Sequence, residues 1–257
     1  MTANPPALQL YTLREQIHAG RAGILAQVAA LGYGAVEPFN ILDDPDGLRA
    51  ELDAAGLAAC SVHAVPFGEQ AEAVAKAAQT LGADTVIVPY QDPARFADAD
   101  SVRALAGDLN EAAAQAAGHG LRVGYHNHDF ELSSLLGGVP ALEVLADQLD
   151  DAVLLEVDTY WAAVGGQDVP ALLGRLGDRV RYLHVKDGPV VNRQDFMTAV
   201  GSGRMPVAEI LAACPSAEWH VVELDRCATD MMTAVGDSLA WLAAHGLAEP
   251  VQHPDGA

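Results

Sequence analysis

The strongest constraint on this chain is an alternation repeated eight times: a short β-type run, then a longer Ala/Leu-rich stretch with helical spacing. The β-type runs fall at residues 8–12, 35–39, 59–63, 85–90, 122–128, 153–158, 180–186 and 219–225. The run at 85–90 reads as a strand buried on both faces. Helical stretches are expected to end near Leu31 and to cover 46–56, 69–81 and 101–118, then 139–149, 168–176, 206–213 and 229–245. Many stop near a glycine, as at Gly32, Gly56, Gly82 and Gly118 or Gly120. Parallel strands need a crossover between them, and these helices supply it. An open doubly wound sheet would give the same alternation. Eight units in 257 residues favour closure, since a (β/α)8 barrel takes about 250. The expected fold is therefore a single α/β TIM barrel spanning residues 1–257. Its core covers about residues 7–247, and a frayed tail (Pro250, Pro254, Gly256) covers 249–257.

The net charge is −21, from 35 acidic and 14 basic residues. Such a chain repels phosphate backbones and anionic lipid, so neither nucleic acid nor membrane is an expected partner. The charge is compatible with drawing a divalent cation into a cleft, although most of these carboxylates should simply be solvated. Cys60, Cys214 and Cys227 show no C-x-x-C spacing. They are expected to be unpaired thiols in a reducing compartment. No signal peptide is visible at residues 1–6, and no apolar run reaches the roughly 18 residues that span a bilayer. A cytoplasmic location is expected.

Polar and ionisable residues gather where the β-type runs end. Alternate residues of a barrel strand point inward. His126 pairs by parity with His128, Glu156 with Asp158, Tyr182 and His184 with Lys186, and Glu223 with Asp225; earlier runs carry Tyr11, Glu37 and His63. Branched apolar residues normally fill a barrel interior. Charged residues there need a partner, a metal or solvent. Each position has a plain structural reading. Asp158 can cap the next segment, and His184 can be a bonded core histidine. Glu37 and His63 either bind substrate hydroxyls or form a buried Glu–His pair. Lys186 either clamps a substrate oxygen or makes a salt bridge to Asp158 or Glu223. Tyr11 and Trp161 either stack on a sugar or pack at the barrel mouth. Glu131 reads as a solvated carboxylate at a helix start, ahead of an acid/base role. Gly201–Arg204 is either an anion-holding glycine loop, with Arg204 beside it, or an ordinary turn.

Six segments carry a family resemblance: LQLYTLR from Leu8, GYGAVE from Gly32, GYHNHDFE from Gly124, EVDTYW from Glu156, HVKD from His184 and VELD from Val222. Together they resemble the sugar phosphate isomerase/epimerase family of xylose-isomerase-like barrels. The resemblance implies a divalent ion held by residues from the fifth to eighth strands, here His126, Asp158, His184 and Glu223. The family pattern commonly has Glu at the first of these positions, so His126 is a departure, and His128 is the alternative there. Two carboxylates and two imidazoles suit Mn, Co, Fe, Zn or Ni better than Ca. The implied chemistry is proton abstraction next to a carbonyl, with a metal-stabilised enediolate. Glu223, His126 and Lys186 are its catalytic candidates; Tyr11, Glu37, His63, His128, Trp161 and Arg204 are the substrate contacts. Isomerase or epimerase activity on a sugar, sugar phosphate or cyclitol comes first. Because His126 removes one of the paired glutamates of the ketose epimerases, a lyase resembling inosose dehydratase comes second. A non-catalytic sugar-binding barrel is the reading from another class. A DNA-repair endonuclease of the same fold is opposed by the charge. Family members often pair, which implies a homodimer.

Overall fold

The computed structural model describes residues 6–252. Nine strand segments occupy the eight expected places: β1 Ala7–Gln9, β2 Ala35–Glu37, β3 Ala58–Ala59, β4 Val62–His63, β5 Thr85–Val88, β6 Arg122–His126, β7 Val153–Asp158, β8 Val180–Val185 and β9 Trp219–Val222. All pairings in this sheet are parallel, in the order β3-β2-β1-β9-β8-β7-β6-β5-β4. The third run is interrupted at Cys60 and Ser61, so β3 pairs with β2 and β4 pairs with β5. Cys60 N donates to Val36 O at 3.0 Å and His63 N to Pro38 O at 2.8 Å, which carries the ladder across the seam. The result is a single TIM barrel, with β5 buried along its whole length as its apolar run predicts.

Helices cover the outside. Aspartates open several of them: Asp44, Asp98, Asp168 and Asp230 accept from the backbone N–H of Gly47, Ser101, Ala171 and Thr233. A carboxylate there satisfies an orphan donor and faces the positive end of the helix dipole, so part of the acidic surplus has a local structural use. Gly56 and Gly82 end their helices in the left-handed region, at φ 72° and 74°.

Two expectations need correction. Residues 139–149 do not form one helix: Val139–Pro140 pairs antiparallel with Leu135–Leu136, and the helix spans Ala141–Ala146. Gly137 and Gly138 both have positive φ, which makes the two-residue hairpin turn that the helical spacing concealed. The first strand stops at Gln9; Leu10–Leu13 is a 3-10 turn, and Tyr11 sits on that turn rather than on the strand. At the other end, Val251 N donates to Gly32 O at 2.8 Å, so the start of the expected tail lies against the barrel; residues 253–257 fall outside the described residues.

The barrel floor is small and apolar, with Ala7, Ala35, Cys60 and Val221 packed together. Tyr182 Oη lies within hydrogen-bond distance of Cys60 O and Thr85 Oγ1 beside them. Above this floor the register sets polar residues side by side: Gln9 next to Glu37, His126 next to Glu156, and Asp158 next to His184. All three cysteines are free thiols. No helix among the described residues is long and apolar enough to cross a membrane.

Candidate active site

A cleft of about 380 Å³ opens at the C-terminal ends of the strands, lined among others by His63, His126, His128, Lys186, Glu223 and Asp225. Beneath it the polar residues form two tiers. In the lower tier, Glu37 Oε2 accepts from Gln9 Nε2 at 2.6 Å and lies 2.8 Å from His184 Nε2 and 3.0 Å from His63 Nε2. Ser61 Oγ donates to the other oxygen of Glu37. Glu156 Oε2 is 2.8 Å from His63 Nε2, 3.0 Å from His126 Nδ1 and 3.1 Å from His184 Nε2. In the upper tier, His184 Nδ1 meets Glu223 Oε2 at 2.6 Å. Lys186 Nζ lies 2.8 Å from Asp158 Oδ2, 2.7 Å from Glu223 Oε2 and 2.7 Å from Asp225 Oδ2.

Burial and opposite charge contend at every one of these groups. Burial raises the carboxyl of Glu37, but His63 and His184 outweigh it and hold Glu37 well below the usual carboxylate range. The same contest, against the neighbouring charge of Glu37 and with His184 and His63 in favour, leaves Glu156 at about 2. Burial lowers His63, yet Glu37 and Glu156 lift it to about 9. Burial also lowers Lys186, and Asp158, Asp225 and Glu223 more than restore it. Asp158 is pushed up to about 6 by burial and Glu223, against Lys186. His128 falls to about 3 through burial and the positive charge of Lys186, so its ring is neutral.

The residues expected to hold a metal come together. One donor atom each from His126, Asp158, His184 and Glu223 can be chosen so that all lie within 4.8 Å of one another. Bonds near 2.1 Å to a common ion would span up to about 4.2 Å, so the four need only a small contraction. Asp158 divides its two oxygens. Oδ1 caps Trp161 N at 2.8 Å, while Oδ2 faces the cluster with Lys186 at ion-pair distance but without a directed hydrogen bond. A buried carboxylate oxygen of that kind, beside two imidazoles and a second carboxylate, fits a divalent transition ion. His63, His126, Glu156 and His184 form an equally tight group. There the donor atoms are already engaged with one another through Glu156 Oε2.

Other expectations resolve individually. Tyr11 lines the cleft, 41% exposed, held edge-on by Phe39 with Arg14 over its ring. Glu37 and His63 are a buried pair, and His63 also reaches the cleft. Lys186 makes both salt bridges foreseen for it, and a third to Asp225. Trp161 is buried, packed beside Lys186 and Arg193 rather than lining the cleft. Arg204 is exposed and does not line it. The glycine loop does hold an anion, but the anion is the chain's own Asp187, whose carboxylate accepts from the amides of Gly201, Gly203 and Met205 at 2.9–3.0 Å. Gly203 has no room for a Cβ because Asp187 and the Gly188 amide occupy that space. Sequence reasoning missed Tyr90, Asn40 and Asp225 in the cleft wall. Asp225 was in view as the parity partner of Glu223; nothing in the sequence marked Tyr90 or Asn40.

Glu131 corrects the expectation of a solvated carboxylate. It is fully buried, accepting from Tyr125 Oη at 2.8 Å and His128 N at 2.9 Å, and burial pushes it up to about 7. With the folded value raised above the ordinary 4.5, its protonated form favours the fold at acid pH, and stability falls as pH rises from about 4.5 to 7. That interval corresponds to about 3 kcal/mol. Glu131→Gln, which cannot ionise, should therefore gain on the wild type between pH 5 and pH 8 in urea melts. Parallel pH profiles would show that Glu131 does not titrate there.

Residues 25–245 match the family described as the xylose isomerase-like TIM barrel. An inosose dehydratase of Geobacillus kaustophilus (strain HTA426) is 28% identical, the match covering 72% of this chain and 70% of that protein. A sugar phosphate isomerase/epimerase from Parabacteroides distasonis superposes with TM-score 0.78 at 23% identity, over 98% of this chain and 96% of the other. The IolI protein, solved with a bound zinc atom, superposes with TM-score 0.67 at 14% identity, over 97% of this chain and all of the other.

Proposed function

This chain belongs to the xylose isomerase-like TIM-barrel family, and from that premise we propose that it is a divalent-metal-dependent lyase that dehydrates a keto-sugar or keto-cyclitol. The observation that carries the reading is the pairing of one carboxylate with one ammonium on the cleft wall, Glu223 Oε2 and Lys186 Nζ, 2.7 Å apart beside the four-donor cluster. His126, Asp158, His184 and Glu223 would hold the ion, and when bound it supplies Lewis-acid polarisation of the substrate carbonyl.

The chain's own groups handle the protons. Glu223 takes the proton from the carbon next to the carbonyl. As the carbon–carbon double bond forms, the bond to the β-oxygen breaks, and the departing hydroxyl takes a proton from Lys186 Nζ and leaves as water. The proton on Glu223 then crosses the 2.7 Å contact to Lys186, which restores both groups. Dehydration stands ahead of epimerisation for two reasons. Of the cluster's two carboxylates only Glu223 lines the cleft, and His126 stands where a second glutamate would. The curated relative at 28% identity is, moreover, an inosose dehydratase. Epimerisation or isomerisation, the second reading, draws on His128, a neutral imidazole in the same cleft whose Nδ1 has no partner among the described residues.

Elemental analysis, followed by incubation with keto-sugars and inososes in D2O, tests this. About one equivalent of transition ion, lost in a His184→Ala/Glu223→Ala double variant, is expected together with loss of one water from the substrate. Deuterium exchange without loss of water would replace dehydration with epimerisation. Absence of metal after reconstitution would remove the enzyme reading and favour a sugar-binding barrel.

A further inference from the structure

Three imidazole nitrogens converge on a single carboxylate oxygen. Glu156 Oε2 is 2.8 Å from His63 Nε2, 3.0 Å from His126 Nδ1 and 3.1 Å from His184 Nε2. An ionised carboxylate only accepts hydrogen bonds, so each nitrogen facing it must carry the hydrogen. Glu37 Oε2 applies the same constraint to His184 Nε2, at 2.8 Å.

The consequence differs for the two proposed ligands. In His126 the hydrogen is on Nδ1, so the free lone pair is on Nε2, on the side of Asp158 Oδ2 at 3.8 Å. In His184 carboxylates face both nitrogens, Glu37 Oε2 at 2.8 Å from Nε2 and Glu223 Oε2 at 2.6 Å from Nδ1, so the metal-free ring carries both hydrogens. An ion held with Glu223 would take the place of the hydrogen on Nδ1, while Nε2 keeps its own. The two histidines thus offer opposite ring nitrogens to the same cluster. A free imidazole interchanges its tautomers, and nothing within either ring selects between them.

We infer that Glu156, together with Glu37 at His184, is a positioning residue that keeps the hydrogen on His126 Nδ1 and on His184 Nε2, so that Nε2 of the first ring and Nδ1 of the second are the nitrogens left for a divalent ion. The inference rests on the metal reading above. Glu156 acts through the imidazoles and touches no substrate: it is buried beneath the cleft and is not among the residues lining it. Carboxylates behind metal-bound histidines generally orient the ring and raise its basicity.

Zn²⁺ alone is the probe, titrated in competition with a chelating dye. Glu156→Gln should bind it about 10–100-fold more weakly than wild type. Glu37→Gln, which reaches His184 but not His126, should lose less. Thermal melts of the metal-free proteins run alongside, because a purely structural role would move the melt and leave Zn²⁺ affinity unchanged. If Glu156→Gln does not fold, ¹⁵N-histidine NMR of wild-type protein with Zn²⁺ decides the matter without a variant. The expected pattern has hydrogen on His126 Nδ1 and His184 Nε2, with zinc on the other nitrogen of each ring. The reverse pattern would put the ion in the His63, His126, Glu156 and His184 group and overturn the inference, as would Zn²⁺ affinity in Glu156→Gln equal to wild type. Failure of wild type to bind Zn²⁺ at all would instead defeat the metal reading, and this inference with it.

Discussion

Glu223→Gln is expected to fold normally and to lose proton abstraction from carbon by a factor of about 10²–10⁴, the range a positioned general base contributes. The amide occupies nearly the same volume and can still accept a hydrogen bond from His184 Nδ1 or from Lys186, both of which lie within 2.7 Å of the carboxylate oxygen. What it lacks is an oxygen that can take a proton. Deuterium incorporation at the carbon beside the carbonyl, measured with metal content and a thermal melt, separates the outcomes. Unchanged exchange would dismiss Glu223 as the base. Lost exchange with lost metal would assign it chiefly to holding the ion, and lost exchange with metal retained would support the role argued here.

The largest effect on stability is expected at Lys186. Its ammonium is buried and lies within 2.8 Å of oxygens from Asp158, Glu223 and Asp225. Removing one partner of a buried ion pair leaves uncompensated charge and costs about 3–5 kcal/mol. Lys186→Met, which keeps much of the aliphatic length, should therefore lower the Tm of the metal-free protein by on the order of 10 °C. Two of the stranded carboxylates, Asp158 and Glu223, also belong to the four-donor cluster. Saturating Zn²⁺ should then recover much of the loss, because an ion that binds only the folded state stabilises it by mass action. A metal-free variant that melts like wild type would show that the three contacts contribute little. Destabilisation that Zn²⁺ leaves untouched would separate the ammonium's role from the ion's.

Much of the site was legible residue by residue. Period-two spacing put Glu156 with Asp158, and His184 with Lys186, on one inward face, and the strands place them so. His126, Asp158, His184 and Glu223 converge as the resemblance implies. The hidden part was what each group faces. Glu37 meets His184 across 147 residues of chain and His63 meets Glu156 across 93. Nothing local to Glu156 announced that one of its oxygens would serve three rings. Glu131 looked like any carboxylate at a helix start until Tyr125 and the His128 amide closed over it. The Gly201–Arg204 loop presented amides suited to an anion, and only the fold showed that Asp187 is the anion they hold.

Local periodicity, turn residues and caps therefore determined the elements of this protein, their order and the face each strand turns inward. They act within a few residues, where backbone geometry dictates the outcome. Closure of the barrel decided the remainder: which imidazole nitrogen carries its hydrogen, which carboxylates share Lys186, and which residues wall the cleft. Those are properties of distance and burial among groups far apart in the chain, and they do not exist until the sheet has closed on itself.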